Sequence, residues 1–187
     1  MKRLDFKKIQ NNKKSLEVER KGFYTKADEA RRQAKLAIFA LQRNDAKRAI
    51  ACLKESQSLI RGCAALIKRR PLLSEESSWY SALEEYTEAH LFDSYLRGGL
   101  SLPVEAENNP DAILGGLADL AGEIARHSIL RATERDKKAI EDAHRTVLKI
   151  VEVLAALDLT GSLRSKFDQT KQHLRKIEDI RYDLSRA

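Results

Sequence analysis

Three prolines and eight glycines in 187 residues leave too few chain-turning positions for a sheet protein. Ala, Leu, Lys, Arg and Glu, which cost least in a helix, supply most of the chain. The expectation is therefore an all-α fold: a single-domain bundle, residues 1–187, of about six or seven long antiparallel helices. With 42% hydrophobic residues recurring at helical period, the chain is too apolar and too regular for a solvated coil. The opening Met1-Lys2-Arg3-Leu4-Asp5 is charged with no apolar run behind it, so no signal peptide is expected. No apolar stretch nears the roughly 18 residues that argue for a membrane span. Cys52 and Cys63 stand eleven apart on one predicted helix, about 16 Å, too far to bridge. Reduced thiols and a cytoplasmic location are the expectation.

Charge is segregated along the chain. Residues 1–70 hold 20 Lys and Arg against 7 acids, a net of +13, within a whole-chain net of +7. Residues 71–123 hold 1 against 11, and residues 124–187 hold 14 against 10. A basic arm suits a polyanion, whereas an acidic middle meets one only with cations between them. The alternative is that the acidic middle packs against the basic first third through ion pairs.

Periodicity and breakers divide the chain. A first helix runs from about Lys8 to Gln42, carrying Ala30, Ala34, Ala37, Ile38 and Leu41, and Asn44-Asp45 ends it. Asp45 caps a second helix that ends near Arg69-Arg70-Pro71. Ser74-Glu75-Glu76-Ser77 opens a third with acids in its first turn, closed by Gly98-Gly99. After a loop from Pro103 to Pro110 come helices over about Asp111–Arg131, Asp136–Leu157 and Ser162–Leu184. The last has a narrow seam of Leu163, Phe167, Thr170, Leu174, Ile177 and Leu184, fit for the core or for contact between subunits.

Two carboxylate pairs carry the chemistry. At about 100° per residue, Glu85 falls inside the apolar arc of Ala82, Tyr86, Ala89, Phe92 and Leu96, with Glu88 at its edge. Asp93 falls in the same arc without an evident role. In the fourth helix Asp119 and Glu123 lie opposite the stripe of Ile113, Leu117, Leu120, Ala121 and Ile124. Gly115, Gly116 and Gly122 flank them, at about 1 kcal/mol each relative to Ala. Such glycines imply close approach by a backbone or a bulky ligand. A carboxylate among apolar neighbours needs an arginine or a metal, and for any single one both solutions stand. If the two helices face each other, four acids converge and require counter-cations. Oxygen donors without Cys or His select Mg²⁺, with Mn²⁺ possible. Arg31, Arg32, Lys35 and Arg126 are candidates for phosphate contact. Glu141-x-x-His144 has di-iron spacing, but such a site needs two of these pairs and the chain has one.

Glu85-Tyr86-Thr87-Glu88-Ala89 resembles Glu-Tyr-Val-Glu-Ala of the family of translin and translin-associated factor X. Gly116-Leu117-Ala118-Asp119-Leu120-Ala121-Gly122-Glu123 is similar to that family's Gly-Val-Ala-Asp-Leu-Thr-Gly-Glu. Lys176 to Ser185 resembles its closing helix, and the stretch from Ala37 to Asp45 the end of its first helix. The resemblance implies an all-α subunit of a homo-oligomeric, octamer-like shell that binds RNA and single-stranded DNA. It also implies a Mg²⁺-dependent endoribonuclease acting on single-stranded or unpaired RNA. Glu85, Glu88 and Asp119 match the catalytic, metal-holding acids of the nuclease-type subunit, and Glu123 the fourth acid. The chain has Ser74-Glu75-Glu76-Ser77-Ser78 where translin carries a basic, His-containing stretch, and it is shorter than the larger relatives. The alternative is a non-catalytic RNA- or single-stranded-DNA-binding oligomer of translin type.

Overall fold

The computed structural model describes Asp5 to Arg186; the charged start, Met1 to Leu4, lies outside the described residues. Six α-helices follow one another: α1 (Phe6–Gln42), α2 (Ala46–Arg69), α3 (Ser77–Leu96), α4 (Pro110–Thr133), α5 (Lys137–Ala155) and α6 (Gly161–Arg186). No strand occurs among the described residues, as the scarcity of Gly and Pro requires.

Local chemistry sets the boundaries. Asp5, Asp45 and Asp136 each accept the backbone N–H three residues on, capping α1, α2 and α5. Gly98, with φ of 90°, takes the left-handed turn that ends α3, and Pro110 opens α4 without wasting a hydrogen bond. The third helix starts later than its sequence suggests. Pro71–Glu75 form a 3₁₀ turn and α3 begins at Ser77, so Glu75 and Glu76 precede the helix. The Glu76 carboxylate is instead held by Arg20 at 2.6 Å and by the Tyr24 hydroxyl. The loop after α3 contains a second short 3₁₀ turn, Val104–Ala106.

The helices pack as a chain of neighbours: α2 on α1, α1 on α3, α3 on α4, and α4 on both α5 and α6, which also pair. Ala27, Ala30, Ala34 and Ala37 give α1 a flat buried stripe, close enough for the Ser56 hydroxyl to reach Ala30 O at 2.9 Å. The seam of α6 is covered within the chain. Thr170, Leu174 and Ile177 are buried, Phe167 and Leu184 are half-buried against the same core, and Leu163 is half-buried. It therefore serves the fold. Residues 5–15 of α1 are exposed throughout and carry Phe6 and Ile9 clear of the core. No helix among the described residues is long and apolar enough to cross a membrane.

Candidate functional site between the two central helices

The acids meet because α3 and α4 approach closely. A Cβ on Gly116 would lie 2.9 Å from the Thr87 methyl and 3.0 Å from the Glu88 backbone nitrogen. One on Gly115 would collide with the Glu84 carboxyl. Thr87 turns its hydroxyl onto Leu83 O at 2.7 Å, which removes a polar group from the contact. Gly122 has another purpose: its missing side chain makes room for the His173 ring of α6, 3.2 Å from where a Cβ would stand. Two glycines thus serve the α3–α4 contact and the third serves α6.

Glu85 and Glu88 from α3 and Asp119 and Glu123 from α4 influence one another electrostatically, as the two-pair arrangement anticipates. Their burial reverses the expectation. Glu88, placed by the sequence at the edge of an apolar arc, is 8% exposed, whereas Glu85 is only half-buried. The arc assumed one covered face, but α3 is covered by both α1 and α4.

Three of the four acids have partners from the same chain. Lys35 of α1 lies 3.5 Å from Glu85. Gln42, the last residue of α1, donates to the Glu123 carboxylate at 2.6 Å and to its carbonyl at 3.0 Å. Lys166 of α6 donates to Asp119 and lies 3.4 Å from Glu84. Among the described residues Glu88 has no such partner. Burial, followed by the charges of Asp119, Glu85 and Glu123, pushes its carboxyl up to about 9, against a weaker pull from Lys166. Burial also raises Glu85 and Glu84, with Lys35 and Lys166 respectively opposing it. Burial pulls the Lys166 ammonium down, but Asp119 and Glu84 outweigh it and hold it above the ordinary lysine range. At His173, burial and then Lys176 lower the imidazole against the pull of Asp119 and Glu123.

The donor set is all oxygen, which suits a hard divalent ion. Among the described residues, however, no three His, Cys, Asp or Glu side chains already close on one point at ligating distance. The chain's own cations and amide hold the acids in their present places.

The basic candidates separate. Lys35 lies 3.5 Å from Glu85, Arg31 pairs with Asp28 at 3.5 Å, and with Gln42 they follow one face of α1 at offsets of four and seven. Arg32 is held at both ends of its guanidinium by Glu29 on its own helix. Arg126 is exposed one turn beyond Glu123. Asp93 pairs with Arg97, the residue that caps α3. Glu141 accepts from Arg181 at 2.5 Å and His144 lies 3.6 Å from Glu178, so this di-iron-like pair ties α5 to α6. The acidic middle also packs on the basic first third, through Arg20–Glu76, Arg61–Glu105 at 2.8 Å and Lys35–Glu85. Glu84, Gln42, Lys166 and His173 were absent from the sequence-based site. The seven-residue offsets Lys35–Gln42 and Lys166–His173, each along one helix face, are the signal that finds three of them.

Fold and crevice together define an all-helical protein whose two central helices enclose a cluster of carboxylates. The Translin family's sequence profile matches residues 19–185, and the chain belongs to the Translin family. Among solved structures it is similar to AfC3PO, with a TM-score of 0.88 and 21% identity over 97% of each chain. Apo-NeC3PO gives 0.84 and 21%, covering 98% of this chain and 99% of that one. An AfC3PO–duplex RNA complex gives 0.86 and 21% over 97% of each chain. At such identity these likenesses establish the fold. No curated protein matches the chain.

Proposed function

We propose that this chain is a Mg²⁺-dependent endoribonuclease that cleaves single-stranded or unpaired RNA, working as one domain inside a homo-oligomeric, octamer-like shell. The observation that carries this reading is Glu88: a buried acid that feels the charges of three others and has no hydrogen-bond or ion-pair partner among the described residues. A stability-driven sequence would place an apolar residue there. Glu85, Glu88 and Asp119 would hold the ion, with Glu123 assisting, and Mn²⁺ would suit the same oxygens. A bound ion of this kind activates water and neutralises the charge that develops on the phosphate as a P–O bond breaks. Lys35 stands beside Glu85 and Arg31 one turn before it on α1, where they would draw the RNA backbone to the acids. Arg126 and Arg32 would contribute to the basic surface around the site. That a similar structure is of a duplex RNA complex supports RNA as the partner. The unpaired, buried Cys63 thiol suits a cytoplasmic setting.

A second reading has its own support. Lys35, Lys166 and Gln42 already engage three of the acids, which fits a non-catalytic oligomer that binds RNA or single-stranded DNA. One experiment separates the two: incubation of a labelled, unpaired oligoribonucleotide with the protein in Mg²⁺ and in EDTA, beside Glu85→Ala/Glu88→Ala. Cleavage in Mg²⁺ alone, lost by more than about 100-fold in the double variant with RNA affinity retained, is expected. Equal cleavage by the variant, or none by the wild type at any Mg²⁺ or Mn²⁺ concentration, sinks the nuclease reading.

A further inference from the structure

Lys166 is brought from α6 into a crevice built by α3 and α4. Its ammonium meets Asp119 and lies 3.4 Å from Glu84, and its side chain is only 21% exposed. The other lysine at the site, Lys35, is more exposed and touches Glu85 alone. Lys166 therefore bridges the two helices where their carboxylates are closest to a shared charge. Along the same face of α6, Thr170 donates to Lys166 O at 2.9 Å and is buried, which fixes the backbone beneath the lysine. The stem above that anchor is flexible, and an ammonium, unlike a guanidinium, has no planar fork to lock it onto two carboxylates.

We propose that Lys166 is the built-in counter-cation of the crevice, holding the place of a divalent ion and yielding it when one binds. The inference rests on the reading of these acids as a divalent-ion site. A +1 ammonium and a +2 ion seek the same Asp119 oxygens, so the lysine lowers ion affinity while it stabilises the ion-free protein. A lysine that merely tied α6 to the bundle would behave oppositely, since its loss would loosen the acids and weaken ion binding.

The test uses EDTA-stripped protein, with Mg²⁺ titrated by calorimetry and thermal melts run with and without the ion. Lys166→Met and Lys166→Gln remove the charge, Lys166→Arg keeps it, and Glu88→Gln reports whether binding is at this site. Both neutral variants should bind Mg²⁺ at least tenfold more tightly, about 1.4 kcal/mol, and melt lower in EDTA but gain more from Mg²⁺. Lys166→Arg should stay within about threefold of the wild type. Glu88→Gln should lose binding. Unchanged or weaker Mg²⁺ affinity in a neutral variant whose helical circular dichroism matches the wild type overturns the role of Lys166 and leaves the ion site standing. Absence of Mg²⁺ binding in every form overturns both.

Discussion

Glu88 and Asp93 lie five residues apart on α3 and are buried alike, at 8% and 9% exposure, yet the chain treats their charges in opposite ways. Asp93 is answered at once by Arg97, one turn on, whose head is 70% exposed. That pair is complete between the last turn of α3 and the residue that caps it. Glu88 has Glu85 on its own helix and Asp119 and Glu123 across a contact that glycine keeps tight, and its carboxyl is pushed up to about 9. The first arrangement neutralises a buried acid for the sake of the fold. The second leaves one short of partners, at a cost to the fold, where an ion could complete it. Burial alone does not distinguish a structural acid from a functional one; the source of its counter-charge does.

The contrast can be broken most directly at Glu88. In the unfolded chain its carboxyl ionises near its ordinary value of 4.5, while the folded protein keeps the proton up to about 9. Between those values the folded state binds more protons, so ion-free stability should fall as pH rises from about 4.5 to 9 and level off above. The slope approaches about 1.4 kcal/mol per pH unit. Glu88→Gln should flatten that slope and raise stability at neutral pH by about 1–3 kcal/mol in urea melts run in EDTA. An unchanged slope would mean that Glu88 is ionised in the fold and has a partner after all.

Gly116→Ala tests the close approach itself. The added methyl meets Thr87 and the Glu88 backbone, neither free to retreat, so about 1–3 kcal/mol of stability and most of the proposed Mg²⁺-dependent activity should be lost. At Asp93 the sign is opposite to that of Glu88→Gln: Arg97→Ala removes the ion-pair partner of a buried acid and should destabilise by about 1–2 kcal/mol without altering Mg²⁺ affinity. The smallest effect belongs to Gly122→Ala. Its methyl presses on a histidine ring that can swing by a few tenths of an ångström, and Ala gains about 1 kcal/mol over Gly within a helix. A net change within about 1 kcal/mol by thermal melting is expected.

Much of this site is visible in the sequence because helix geometry is periodic. Glu85 and Glu88 at a three-residue offset, and Asp119 and Glu123 at four, must share faces once the segments are helical. The six helices are equally visible, since Asp45, Asp136, Gly98 and Pro110 stand at boundaries where local chemistry decides. What was hidden depends on how helices cross. Nothing within α3 tells that Glu88 is more buried than Glu85, because α4's glycines determine how closely that side is covered. Glu84 points to Lys166 only once α6 is in place, and Gln42 finds Glu123 at a separation of 81 residues. The apolar seam of α6, fit by its spacing for the core or for a subunit contact, packs on the core at Thr170, Leu174 and Ile177, and its polar neighbours Lys166 and His173 reach the site.

The 47-residue separation of Lys166 from Asp119 places the crevice in time as well as in space. On a ribosome adding about 5–20 residues per second, α3 and α4 emerge several seconds before the lysine that serves them both. Through that interval the nascent chain presents the carboxylates with Lys35 of α1 beside Glu85 but without the α6 cation that Asp119 and Glu84 share, and ions from solution can take its place. Docking of α6 then supplies that cation. The last helix thus does more than close the bundle: its arrival changes the charge of a pocket that earlier helices have already outlined.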